Sequence, residues 1–446
     1  MDRARRNLAR AWLVVGVGAL VAAGLYSVLL VAARTPGVQS IVPGLDFFRT
    51  ALVVHVDLSV LIWFLAFGGV LWTMVGNPRI VAIEWLAVSG AAAGALIVAL
   101  SAFRGDPQPL LNNYVPTLRQ TPFFVGLGLF AAGCALKCVL VFASGSGSSR
   151  YAPADRVVAV GAKAAVLVTL LAFTALALTY LSLPRTEIDT RYFESLYWGP
   201  GHVLQFAYTL LVLITWYWLA GATGARLPVG AAAGVSMILL AAAPVLVVTP
   251  WIYLTTESGS AAFVAGFARL MYWGGLAAMP LLLAIGLGVV RGRGVPRHEK
   301  PAWSALVCSL ALFLAGGALG YMIEGVNVVI PAHYHGSIVG VTLAFVGLTY
   351  HLLPILGYAE PMRRLATVQP FVYGGGQLLH ITGLAISGGY GNIQRKTAGA
   401  AQGLDSMTDL VGMGMMGLGG LIAIIGGLLF VAIVIKAMWP GRDGPR

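Results

Sequence analysis

The chain contains seven histidines: His55, His202, His298, His333, His335, His351 and His380. All but His298 stand in long apolar runs, where an ionisable ring is costly and is retained because it pairs with or binds something. Two of them stand two apart, in AHYHG, as His333 and His335. Successive residues on an α-helix turn by about 100°, so side chains two apart point roughly 200° apart. Chelation of one metal from an undistorted helix needs i and i+4 spacing instead. The HYH spacing therefore suits two separate partners on opposite sides of one helix. Two iron porphyrins would satisfy it, because imidazole is a common axial ligand of heme iron. Two polar core residues bonded to neighbouring helices would satisfy it as well. His55, in VVHVDLSV, has the same choice between an iron, Asp57 and a backbone carbonyl. No CxxCH motif occurs, so covalent heme attachment is not expected.

The elements that hold these histidines are set by composition. Of 446 residues, 59% are hydrophobic and 10% charged, against roughly 25% charged in a soluble globular protein. Uncharged runs such as 12–33, 164–184 and 410–435 each exceed the roughly 20 residues that cross a bilayer core. The pattern predicts an all-α, polytopic membrane protein with about twelve transmembrane helices. They fall near 11–33, 51–76, 81–103, 121–143, 157–183, 197–221, 228–250, 262–290, 302–323, 329–357, 367–389 and 411–437. No segment outside them is long enough to fold alone, so residues 1–446 read as a single transmembrane domain. The 57 glycines suit helices packed closely in lipid. Cys134, Cys138 and Cys308 read as small core residues. Lys137 and Lys163 are expected to snorkel toward the nearer interface.

The net charge of +12 sorts by side. Arg3, Arg5, Arg6, Arg10, Arg291, Arg293, Arg297, Lys300, Arg363, Arg364 and Lys436 flank one set of helix ends, and the other set is poorer in basic residues. This predicts cytoplasmic N- and C-termini in a bacterial-type inner membrane. The positive charge then reports contact with membrane lipid, not nucleic acid. On this topology His55, His202, His333 and His335 share one depth, roughly a third of the way in from the outer face. A transporter would show internal repeats and a midplane site, and no convincing repeat is present.

The segment GVNVVIPAHYHGSIVGVTLAFVGLTYHLLPILGY resembles the tenth helix of the heme-copper oxidase superfamily, the family of cytochrome oxidase subunit I and the nitric oxide reductases. The resemblance implies a subunit I-like bundle with two hemes. His333 would be the axial ligand of a high-spin heme and His335 of a low-spin heme. His55, in ALVVHVDLSVLIWFLAFGG, would be the second ligand of the low-spin, b-type heme. Arg395 and Lys396, in GNIQRKTAG, would meet heme propionates, as cations paired to carboxylates do. Arg269 stands at heme depth and would serve the same purpose. His380, in the eleventh span, would bond between helices or lie near a heme edge.

The chain also departs from the family's pattern. His202, in YWGPGHVLQF, keeps the place of one distal metal ligand, but Thr249 and Pro250 stand where the family has two adjacent histidines. A second, non-heme metal is thus left without its usual ligand set. Phe206 and Leu204 stand at the places of the family's tyrosine and carboxylate. Tyr208 and Tyr253 are the nearby tyrosines, and Glu257 and Glu324 the nearby carboxylates. The acid and lysine that open the family's proton channels are missing, which argues against proton pumping. The implied function is a respiratory-chain oxidoreductase. It would take electrons from cytochrome c or a quinol and pass them to a heme that binds O2 or NO, together with a companion subunit. The alternative is a non-catalytic diheme subunit for electron transfer or gas sensing.

Overall fold

The computed structural model describes residues 1–34, 47–77, 80–144, 153–184, 187–292, 294–324, 327–389 and 406–439. Among them run twelve long helices: α1 (Arg3–Arg34), α2 (Phe47–Val75), α3 (Val81–Ser101), α4 (Thr121–Ala143), α5 (Pro153–Ser182), α6 (Thr190–Ala222), α7 (Ala231–Thr255), α8 (Ala261–Arg291), α9 (Lys300–Tyr321), α10 (Val329–Ile355), α11 (Arg363–Gly389) and α12 (Met407–Met438). Eleven are long and apolar enough to cross a membrane. α11 has the length, and its glycines, Gln369, Gln377 and His380 dilute its apolar character. Helices prevail because every backbone N–H and C=O must be satisfied within its own segment once water is excluded. Pro200, Pro244, Pro250, Pro354 and Pro370 lie inside helices, where neighbouring helices, hydroxyl side chains and local adjustments of the turn satisfy the backbone groups that each proline frees. Between α3 and α4 the chain makes a short hairpin, β1 (Pro109–Leu110) paired antiparallel with β2 (Thr117–Leu118).

The chain divides into two compact units, residues 1–214 with 229–284, and residues 215–228 with 285–446. In the first, two helices leave regular α geometry. α2 is π-helical over Asp57–Ile62, and α8 passes through a π turn at Leu270–Gly274 and a 3-10 turn at Gly275–Ala278. Such irregular turns re-aim side chains and recur at functional sites. α3 and α4 are joined by a buried ion pair, Lys137 Nζ to Glu84 Oε2 at 2.7 Å, with the side chains 2% and 5% exposed. This corrects the expectation that Lys137 snorkels. The helix pairing brings Glu84 to the ammonium, so the charge is matched inside the bundle.

In the second unit, α9 crosses α10 at Gly316 and Gly336, where a Cβ on either would run into the other's backbone. α11 lies along α12 through Gly376, Gly383, Gly412, Gly419 and Gly426 under the same restriction. Small residues at such crossings let helix backbones touch, which is how helices associate in lipid. Trp216 Nε1 donates to Ser309 Oγ at 2.7 Å, and Ser309 Oγ donates to the Gly340 carbonyl at 2.5 Å. Near the start of α9, Glu299 Oε1 lies 2.8 Å from His351 Nδ1 and 3.7 Å from His298 Nε2. Cys134, Cys138 and Cys308 are free thiols.

Candidate functional site

In the first unit, His55 stands one residue before the last of the first α-helical segment of α2, Phe47–Val56. Its Nδ1 lies 2.8 Å from the carbonyl oxygen of Ala23 on α1. A carbonyl oxygen only accepts, so Nδ1 carries the proton and Nε2 is the lone-pair nitrogen. Of the two protein partners considered from sequence, Nδ1 takes the backbone carbonyl and not Asp57. Asp57 begins the π turn, is 1% exposed, and has neither carboxyl oxygen hydrogen-bonded among the described residues.

His202 is anchored in the same way, with Nδ1 2.6 Å from the Trp198 carbonyl. Its Nε2 is engaged as well. The Tyr114 hydroxyl donates to it at 2.9 Å. Tyr114 arrives from the tip of the β1–β2 hairpin. There Asn112 Oδ1 accepts from the backbone N–H groups of Tyr114 (3.0 Å) and Val115 (2.9 Å). The Asn113 N–H donates to Glu194 Oε2 on α6 at 3.0 Å, and the Asn113 side-chain amide bonds to the same carboxylate. The glycines of YWGPGH make room for this arrangement. A Cβ at Gly201 would collide with the Tyr114 ring, and one at Gly199 would stand 2.7 Å from the Tyr253 hydroxyl.

The other sequence-derived candidates of this unit lie apart from that bond. The Tyr253 hydroxyl shares a 2.6 Å hydrogen bond with Thr179 and donates to the Ala175 carbonyl at 3.1 Å, both on α5. Tyr208 packs edge-on against Phe64, with ring centres 4.9 Å apart. Thr249 is buried, and its hydroxyl has no partner among the described residues. Arg269 lies on an exposed face of α8.

In the second unit, the two histidines of HYH turn to different helices. His333 Nδ1 lies 2.7 Å from the Gly316 carbonyl on α9, and Gly320 leaves space for the ring. His335 faces α11, with its ring centre 4.7 Å from that of His380. His380 Nδ1 bonds to the Met416 carbonyl on α12 at 2.8 Å. The divergence expected from a two-residue step is therefore what the helix provides.

These imidazoles fit heme iron chemically. A ligating histidine almost always donates its other N–H to a carbonyl, carboxylate or water, which fixes the tautomer. His55 and His333 do this with Ala23 and Gly316. His202 does not fit a non-heme metal as it stands, because both its nitrogens are in hydrogen bonds. Among the described residues no group of three His, Cys, Asp or Glu side chains is arranged to hold a metal ion. Arg395 and Lys396 lie outside the described residues. Tyr114 is the residue that sequence reasoning missed. Its only signal is the pair of glycines before His202.

The class of protein follows from the bundle: a multi-pass membrane protein with the fold of a heme-copper terminal oxidase. A structure described as a heme-copper terminal oxidase dimer superposes on the whole chain and on 86% of its own chain, with a TM-score of 0.76 and 16% identity. In sequence, the chain is 29% identical over 503 residues to an uncharacterized protein of Rickettsia prowazekii (strain Madrid E), covering 97% of this chain and 96% of that protein. It is 29% identical over 370 residues to an uncharacterized protein of Aquifex aeolicus (strain VF5), covering 81% and 88%. No family model matches.

Proposed function

We propose that this protein is a respiratory-chain oxidoreductase carrying two hemes in one transmembrane domain. His55 and His335 would hold a low-spin, b-type heme, and His333 would hold a high-spin heme that binds O2 or NO. Arg395 and Lys396 neutralise propionates. Electrons come from cytochrome c or a quinol, and a companion subunit is part of the assembly. Both termini are cytoplasmic, in a bacterial-type inner membrane.

The observation that carries the reading is the Nδ1-to-carbonyl anchoring of His55 and His333. Each ring is held in the tautomer that offers Nε2 to iron. Bound heme would supply one-electron transfer and gas binding. The chain's own residues do the rest. Ala23 and Gly316 set the orientation of the imidazoles. Tyr114 and His202 share one proton in a bond whose imidazole is held from its other side by the Trp198 carbonyl.

A second reading, a diheme subunit that moves electrons or senses gas without turning it over, is favoured by one observation. The Tyr114 hydroxyl occupies the His202 nitrogen that a distal metal would use. A pyridine hemochrome assay with metal quantification and carbon monoxide difference spectra on the purified chain tests both. Two hemes, one of them binding carbon monoxide, with gas-consuming turnover, support the first reading. Two hemes without turnover support the second. A correctly inserted, colourless protein ends both.

A further inference from the structure

His335 and His380 bring two imidazoles together within the second unit, with ring centres 4.7 Å apart and ring planes 59° apart. The planes are too steeply tilted for a face-to-face stack. The orientation of His380 is fixed from its far side. Nδ1 bonds to the Met416 carbonyl at 2.8 Å. A methyl group at Gly420 would stand 3.4 Å from that nitrogen and 3.8 Å from Cε1. The Nδ1–Cε1 edge therefore faces α12. The proton is on Nδ1, because the carbonyl can only accept. Nε2 then carries a lone pair on the edge turned away from α12. Two imidazoles joined by one N–H···N bond of about 3 Å have their centres roughly 5 Å apart. The observed separation is within that reach.

We propose that His380 is a positioning residue: it accepts a hydrogen bond from Nδ1–H of His335, leaving Nε2 of His335 to bind heme iron. This rests on the reading of His335 as an axial ligand. The device matches the one used at His55 and His333 with a change of acceptor. Those rings donate to carbonyls, whereas His335 donates to an imidazole nitrogen, which is more basic. A stronger acceptor raises the basicity of the ligating ring. A more basic ligand favours the ferric state and lowers the reduction potential of its heme. His380 thus sets the driving force of the low-spin heme without touching iron.

The test is a redox titration of the low-spin heme in the purified, heme-loaded full chain, with electron paramagnetic resonance of the ferric state. His380→Leu is expected to keep both hemes. It should shift the reduction equilibrium toward ferrous by tenfold or more, which is 59 mV for a one-electron couple. The low-spin resonance should move with it. His380→Gln, whose amide oxygen accepts, is expected to return most of that shift. If His380→Leu does not accumulate, His380→Asn, which is polar but too short to reach His335, is read in the same way. An unchanged potential at full heme content overturns the role of His380 and leaves His335 as a ligand. A wild-type chain without heme overturns the ligand reading itself, and this proposal with it.

Discussion

Tyr114 donates a 2.9 Å hydrogen bond to Nε2 of His202 across 88 positions of sequence. The donor is a loop residue and the acceptor a residue within α6. The bond is held at both ends, by the Asn112 turn and Asn113–Glu194 at the hairpin, and by the Trp198 carbonyl at the imidazole.

Tyr114→Phe removes the donor and leaves the ring. The fold should survive, since one neutral hydrogen bond contributes about 0.5–1.5 kcal/mol net. If the pair supplies a proton to bound gas, turnover should fall by roughly a hundredfold or more, at unchanged heme content. Steady-state gas consumption alongside a hemochrome assay checks this. Unaltered turnover would remove the pair from the chemistry.

The three proposed ligands should separate spectrally. His55→Leu and His335→Leu are each expected to abolish the low-spin absorption band. His333→Leu should abolish the carbon monoxide-sensitive component and spare the low-spin band. A single phenotype shared by all three would contradict the assignment of two hemes.

Gly320 faces the His333 ring so closely that an added Cβ would stand 2.7 Å from Nδ1. Gly320→Val should therefore push the ring off its Gly316 carbonyl, with overpacking costing about 1–3 kcal/mol. The expected result is loss of the carbon monoxide-binding heme from an otherwise inserted protein, read by difference spectra. Retention of full carbon monoxide binding would count against His333 as the ligand.

The Glu84–Lys137 pair is buried on both sides. Glu84→Gln or Lys137→Met alone strands the partner's charge and should cost about 3–5 kcal/mol. The double variant should recover much of that loss. Thermal unfolding in detergent, compared across the cycle, measures the coupling. Additive losses would show that the two charges act independently.

The divergence of two imidazoles was legible from residue spacing. His333 and His335 had to diverge, because a two-residue helical step reverses the face, and they do turn to α9 and α11 respectively. Their partner atoms were not legible. Gly316, Met416 and Ala23 offer backbone carbonyls, which any residue type has, so nothing in their identity marks them as anchors. Lys137 shows the same limit. Its place in an apolar run was plain, and its partner on α3 depended on which helices pair.

What the sequence by itself determined is the set of membrane-crossing helices and the imidazoles they carry. Helical hydrogen bonds are local and an apolar run in lipid has no other way to satisfy its backbone. What only the tertiary structure decided is which nitrogen of each imidazole is engaged and by what. That depends on carbonyls and hydroxyls delivered from other helices and from one hairpin, and contacts between distant segments leave little trace in local sequence.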